Sequence, residues 1–169
     1  MNQLWAPWRI EYIKMSQNEK TKKKKPACFL CIKNFNKNKD NFVLFTGKYS
    51  FIIMNRYPYN PGHLMIAPYR HIGLIEKCNG QEITEIFRLI QKSIIVLKKM
   101  MKPNGFNIGV NLGYIAGAGI PRHIHVHVIP RWLGDTNFMP IIGKTKIINE
   151  ELYNMYNKLK KVLNKNGKN

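Results

Sequence analysis

Three of the five histidines in the chain fall within five residues, in His123-Ile124-His125-Val126-His127. Alternate residues of a β-strand share a face, so these three imidazoles line one face while Ile124, Val126 and Val128 bury the other. One histidine on such a strand could be an ordinary core residue; a row of three points to chemistry. A shared metal ion does not explain the row, because His123 and His127 would stand about 13 Å apart on a straight strand. An adjacent pair could hold an ion, but the third histidine would then lack a role. Divided labour fits better: one imidazole reacts, and the others position and support it.

The loop leading into the row carries Gly113, Gly117 and Gly119. Backbone N–H groups in such a loop can form a concave anion site beside the histidines. A neutral imidazole next to a bound phosphate can attack phosphorus and form a covalent intermediate. The chemistry implied is nucleotidyl or phosphoryl transfer. Arg122 and Arg131 flank the histidine row. They either bring positive charge to the approach of phosphate or are plain surface arginines. A second cluster, Cys28-Phe29-Leu30-Cys31, places two thiolates at a spacing suited to zinc, which is half of a tetrahedral site. The rival reading, a redox pair, requires a strand-then-helix context that is absent around these residues. Cys78 has no partner pattern and reads as an ordinary thiol.

These residues need a scaffold. Phe42–Phe45 and Tyr49–Met54, split by Thr46-Gly47-Lys48, read as a hairpin, and His63–Ala67 as a third strand after the turn of Asn55–Gly62. Phe106–Leu112 and Ile124–Ile129 are two further strands. From Gln81 to Met101, Ile83, Ile86, Phe87, Ile90, Ile94, Leu97 and Met101 recur at helical spacing, and Pro103-Asn104-Gly105 ends the helix. Asn149–Leu163 reads as a terminal helix. Strands clustered around one long helix predict an α+β fold with a mainly antiparallel sheet.

With 169 residues and 44% apolar composition, the chain suits a single core. Its longest wholly aliphatic stretch, Ile94–Leu97, is too short to span a bilayer. Three cysteines do not make a secreted disulfide framework, and Met1–Trp8 lacks a basic start followed by an apolar run. A cytoplasmic protein with no membrane partner is expected. Lys and Arg number 28 against 9 acidic residues, a formal charge of +19. Such an excess suits an anionic partner. The lysines concentrate at the ends, in Lys20–Lys25 and in Lys158, Lys160, Lys161, Lys165 and Lys168. A solvated surface explains them, so a nucleic-acid partner is not expected.

His123 to Ile129 resembles the signature of the histidine-triad superfamily of nucleotide hydrolases and transferases. Asn55–His63 and Pro68-Tyr69-Arg70-His71 resemble two further blocks of that family, and the similarity covers about residues 28 to 140. Pro130–Pro140 and the opening Trp5-Ala6-Pro7-Trp8-Arg9 are similar to its bacterial diadenosine tetraphosphate phosphorylase-like branch. The resemblance implies a five-stranded antiparallel sheet with one long helix and a C-terminal helix, usually dimerised through the long helix and a strand. The single domain then divides into an N-terminal extension (1–27), a core (28–140) and a helical tail (141–169).

The same resemblance implies His125 as the nucleophile, His127 as a phosphate-bonding and organising residue, and His63 behind the row to orient it. Asn55 would bond the ribose hydroxyls. Asn111 and the backbone of Gly117, Ala118, Gly119 and Ile120 would hold phosphates, while Ile52, Ile53, Phe29 and Leu30 would wall the base pocket. His71 and His123 would complete a structural Cys₂His₂ zinc site with Cys28 and Cys31. Many hydrolases of the family carry Gln-Ser or Gln-Thr where this chain has Gly119-Ile120, which leaves room for inorganic phosphate as the acceptor. The implied activity is cleavage of dinucleoside polyphosphates through a nucleotidyl-histidine, by phosphorolysis or hydrolysis. Alternatives are a phosphoramidase or general nucleotide hydrolase of the same family, or a non-catalytic nucleotide- or RNA-binding module. A binding module would keep its affinity after His125→Ala and lose it steeply with salt.

Overall fold

The structure, a computed structural model, describes residues 28–32, 41–135 and 151–165. The N-terminal extension, the Lys20–Lys25 run and residues 136–150 lie outside these. Five strands form one antiparallel sheet: β1 (Val43–Thr46), β2 (Ser50–Met54), β3 (Leu64–Pro68), β4 (Gly105–Val110) and β5 (Val126–Arg131). Their spatial order is β1-β2-β3-β5-β4, so the histidine-bearing β5 sits inside the sheet and β4 forms an edge. Every residue of β2 and β3 is buried, which is why both read as nearly continuous apolar runs.

The long helix α1 (Gly80–Met101) begins with a capping box: Asn79 accepts from the Glu82 N–H, and Glu82 accepts from the Asn79 N–H, both at 2.9 Å. It ends where Lys102 takes a left-handed conformation, just before Pro103. Arg70 clamps the helix start, donating to both oxygens of the buried Glu82. One turn on, Glu85 accepts from the backbone N–H groups of Lys48, Tyr49 and Ser50, fastening the β1–β2 turn to the helix.

α1 packs across β2, β3 and β5, while α2 (Leu152–Lys165) packs on β1 and α1. Ile86, Leu89, Ile90, Val96 and Leu97 form the buried face of α1. The expected face is corrected at one position. Phe87 is 64% exposed, because it lies about 100° around the helix from Ile86. The last strand also begins two residues later than expected. The Ile124 N–H donates to the Ile72 carbonyl instead of joining the ladder.

Candidate active site

Strand register brings the predicted residues together. Met65 of β3 pairs with His127 of β5, and Gly109 of β4 flanks His127 on the other side. His125, His127 and Met65 line an open cleft of about 490 Å³ with Phe29, Asn55, Tyr57, Tyr59, Gly117, Gly119 and Ile120. His63 is fully buried behind this wall.

The hydrogen bonds determine where each ring proton sits. The Tyr59 N–H donates to His63 Nδ1 at 3.1 Å, so that nitrogen carries a lone pair and the proton is on Nε2. His63 Nε2–H therefore donates to His127 Nδ1 at 2.9 Å, which leaves the His127 proton on its own Nε2. His125 has the opposite arrangement. Its Nδ1–H donates to the His123 carbonyl at 2.9 Å, leaving a lone pair on Nε2. Burial pushes the His125 pKa below the ordinary histidine value, against the opposing pull of the His123 carbonyl, and so favours the neutral form. The cleft thus pairs an imidazole able to attack with an imidazole able to donate, 4.9 Å apart between ring centres.

The surrounding side chains are held in place. Asn55 Oδ1 accepts from the Tyr57 N–H, and its amide nitrogen lies 3.4 Å from His63 Nδ1. The Tyr59 ring stacks on His63 at 4.8 Å. Asn60 is buried and donates to the Pro130 carbonyl and to Asp135, locking the Asn55–Gly62 turn to the end of β5.

Other expected residues stand elsewhere. Leu30, Ile52 and Ile53 are buried among the core side chains and do not line the cleft. Asn111 donates to the Gly117 carbonyl at 3.4 Å. The N–H groups of Gly117 and Ala118 bond within the loop, to the carbonyls of Tyr114 and Gly113, so the cleft-lining part of the loop is Gly117, Gly119 and Ile120. Arg131 pairs with Asp135 at 2.5 Å and also donates to Asn107, whereas Arg122 is exposed. Sequence reasoning missed Tyr57, Tyr59 and Met65. Met65 was within reach, since it follows His63 by two residues on one strand face. The two tyrosines lie in an irregular turn, where no period reports which way a side chain faces.

A second cluster stands beside the first. The donor atoms of Cys28, Cys31, His71 and His123 all lie within 4.8 Å of one another. Cys31 Sγ is 3.0 Å from His71 Nδ1, and Cys28 Sγ is 3.5 Å from His123 Nδ1. Tetrahedral zinc bound by sulfur and nitrogen keeps its donors about 3.3–3.8 Å apart, close to these separations. His123 is prepared for such a role: its Nε2–H donates to the Pro68 carbonyl at 2.8 Å, which turns the Nδ1 lone pair toward the sulfurs. The four residues could therefore hold a metal ion, and two thiolates with two imidazoles suit zinc. The segments carrying His71 and His123 cross closely at Gly73, where an added Cβ would meet the Pro121 carbonyl oxygen.

A model of the HIT domain family matches residues 36–132. The chain is 40% identical to the AP-4-A phosphorylase of Mycobacterium tuberculosis (strain ATCC 25618 / H37Rv) over 153 residues, covering 88% of this chain and 77% of that protein. It is 33% identical to the asymmetrical bis(5'-nucleosyl)-tetraphosphatase of Schizosaccharomyces pombe (strain 972 / ATCC 24843) over 93 residues, 55% of this chain and 50% of that one. Among solved structures, a Zn-bound histidine triad family protein from Mycobacterium smegmatis superposes with a TM-score of 0.62 at 20% identity, covering 75% of this chain and 86% of that one.

Proposed function

Because the chain belongs to the HIT domain family and is similar to a phosphorylase and a tetraphosphatase, we propose that it cleaves dinucleoside tetraphosphates through a nucleotidyl-histidine intermediate. The observation that carries this reading is the pair of opposite tautomers at His125 and His127. His125 Nε2 attacks the α-phosphorus of one nucleotide half. The bond from that phosphorus to the bridging oxygen breaks, and the nucleoside triphosphate departs with its electron pair. In this reading His127, protonated on Nε2, shares that proton with the departing oxygen. An acceptor oxygen then attacks the same phosphorus, the P–N bond breaks, and His125 regains its lone pair.

The acceptor decides the product. Water yields a nucleoside monophosphate and phosphate yields a diphosphate. We assign phosphate, because Gly119 presents only backbone to the cleft and Ile120 has no polar group to hold a water. The similarity to a phosphorylase over most of the chain supports this assignment. Diadenosine tetraphosphate with millimolar phosphate should therefore give ATP and ADP. AMP as the main product would make the enzyme a hydrolase.

Zinc held by Cys28, Cys31, His71 and His123 is the structural metal of this reading, supported by the donor set and its separations. When bound it supplies cross-linking and no step of the reaction. A second copy of the chain is the partner. The exposed Phe87 on α1 and Ile108 on the edge strand β4 support that contact, which sedimentation velocity tests.

A further inference from the structure

The loop between β4 and β5 faces two ways. On its inner side Gly117, Gly119 and Ile120 line the cleft. On its outer side Tyr114 is 81% exposed and Ile115 is 97% exposed, with Leu112 half-exposed beside them. Scattered apolar residues on a surface need no explanation, but a cluster of this kind at the rim of a cleft does. The cluster is held in a defined turn. The Gly117 N–H donates to the Tyr114 carbonyl at 3.0 Å, and the Ala118 N–H donates to the Gly113 carbonyl. Gly113 and Gly117 take positive φ of 80° and 84°, and the Ala118 side chain is buried beneath. Such a turn keeps the Tyr114 Cα within about 7 Å of the Gly117 Cα, so Tyr114 is carried on the same short turn as the cleft-lining Gly117.

We propose that Tyr114, flanked by Ile115, is a stacking platform for the base of the second, departing nucleoside. This rests on the dinucleotide-cleaving reading given above. The substrate has two nucleosides, and only one has its α-phosphorus at His125. Displacement at phosphorus runs in line, so the departing half points away from the histidine row, out of the cleft and past the glycine loop. Its three phosphates carry the second nucleoside beyond the cleft lining, where the nearest aromatic surface on that loop is Tyr114. Stacking is tolerant of base identity because every base presents a π face. The platform therefore selects for a second nucleoside and not for a particular one.

The test compares diadenosine tetraphosphate with adenosine 5'-tetraphosphate, which has the same phosphates and no second nucleoside. In Tyr114→Ser, KM for the dinucleotide should rise about fivefold to tenfold, the low end of what one base–aromatic stack contributes. KM for the mononucleotide should stay within twofold, and Tyr114→Phe should match the wild type with both compounds. Calorimetric titration of both compounds onto wild type and Tyr114→Ser reads the same difference without turnover. If the wild type cleaves neither compound, the proposed reaction fails while the titration still judges the platform. Equal changes with both compounds, or no change, overturn the platform. So does a monomer–dimer equilibrium that shifts in Tyr114→Ser, because the exposed face would then belong to a second copy.

Discussion

Two groups of histidines lie side by side in this molecule and use opposite nitrogens. At the cysteine pair, His123 gives its Nε2–H to the Pro68 carbonyl and turns Nδ1 toward sulfur. Two residues on, His125 gives its Nδ1–H to the His123 carbonyl and keeps Nε2 for the cleft. The side chains are the same, and both are buried. What differs is which ring nitrogen meets a backbone carbonyl. The role of each imidazole is decided by a neighbour that takes no part in the chemistry. The two groups are also joined, since the carbonyl that sets the tautomer of His125 belongs to a candidate metal ligand.

The most severe way to break the contrast is to remove the attacking ring. His125→Ala should lower kcat by about 10⁴-fold or more while the melting temperature stays near wild type, because a covalent nucleophile is lost and the cleft side is open. Near-normal turnover in that variant would end the covalent reading. Breaking the other group should show the reverse balance, with stability failing first. Structural zinc contributes on the order of 10 kcal/mol of apparent binding free energy, so chelation or Cys28→Ser should lower the melting temperature by at least about ten degrees. A variant that melts like the wild type and contains no zinc by metal analysis would remove the metal from the account.

The third experiment sharpens the contrast. His63→Phe keeps a ring against Tyr59 and deletes the donor to His127 Nδ1. The kcat should fall about 10²-fold with little change in KM, because general acid catalysis commonly contributes that much. Ring ¹⁵N shifts should show His127 losing its preference for the Nε2–H tautomer while His125 keeps Nδ1–H. An unchanged His127 tautomer would show that His63 does not set it.

Much of this arrangement is legible in the sequence. The alternation through His123–His127 is local, so a strand period exposes it at once, and the helical period of 81–101 does the same for α1. The Cys28/Cys31 pair was visible as half a site. Its completion by His71 and His123 came only through family resemblance, because the four residues meet through tertiary structure. Local period misled at Phe87, which the spacing admits to the apolar face and the helix turns outward. It was silent on Tyr57 and Tyr59, whose turn has no repeating direction. Arg131 was ambiguous for another reason: nothing local announces that Asp135 and Asn107 converge on it.

Gly73 is not among the four candidate metal donors and does not line the described cleft, yet the chain at Pro121 and Arg122 runs through the space its missing side chain leaves. The carbonyl oxygen of Pro121 and the Cα of Arg122 crowd the position a Cβ would take there. The Ile124 N–H donates to the Ile72 carbonyl at 2.6 Å on the adjoining residues. The crossing between the segments that carry His71 and His123 therefore has no slack, and any side chain at 73 must displace the backbone of Pro121 and Arg122. A candidate metal site whose four donors are all intact can thus be disturbed by adding one carbon atom at a residue that is not among them.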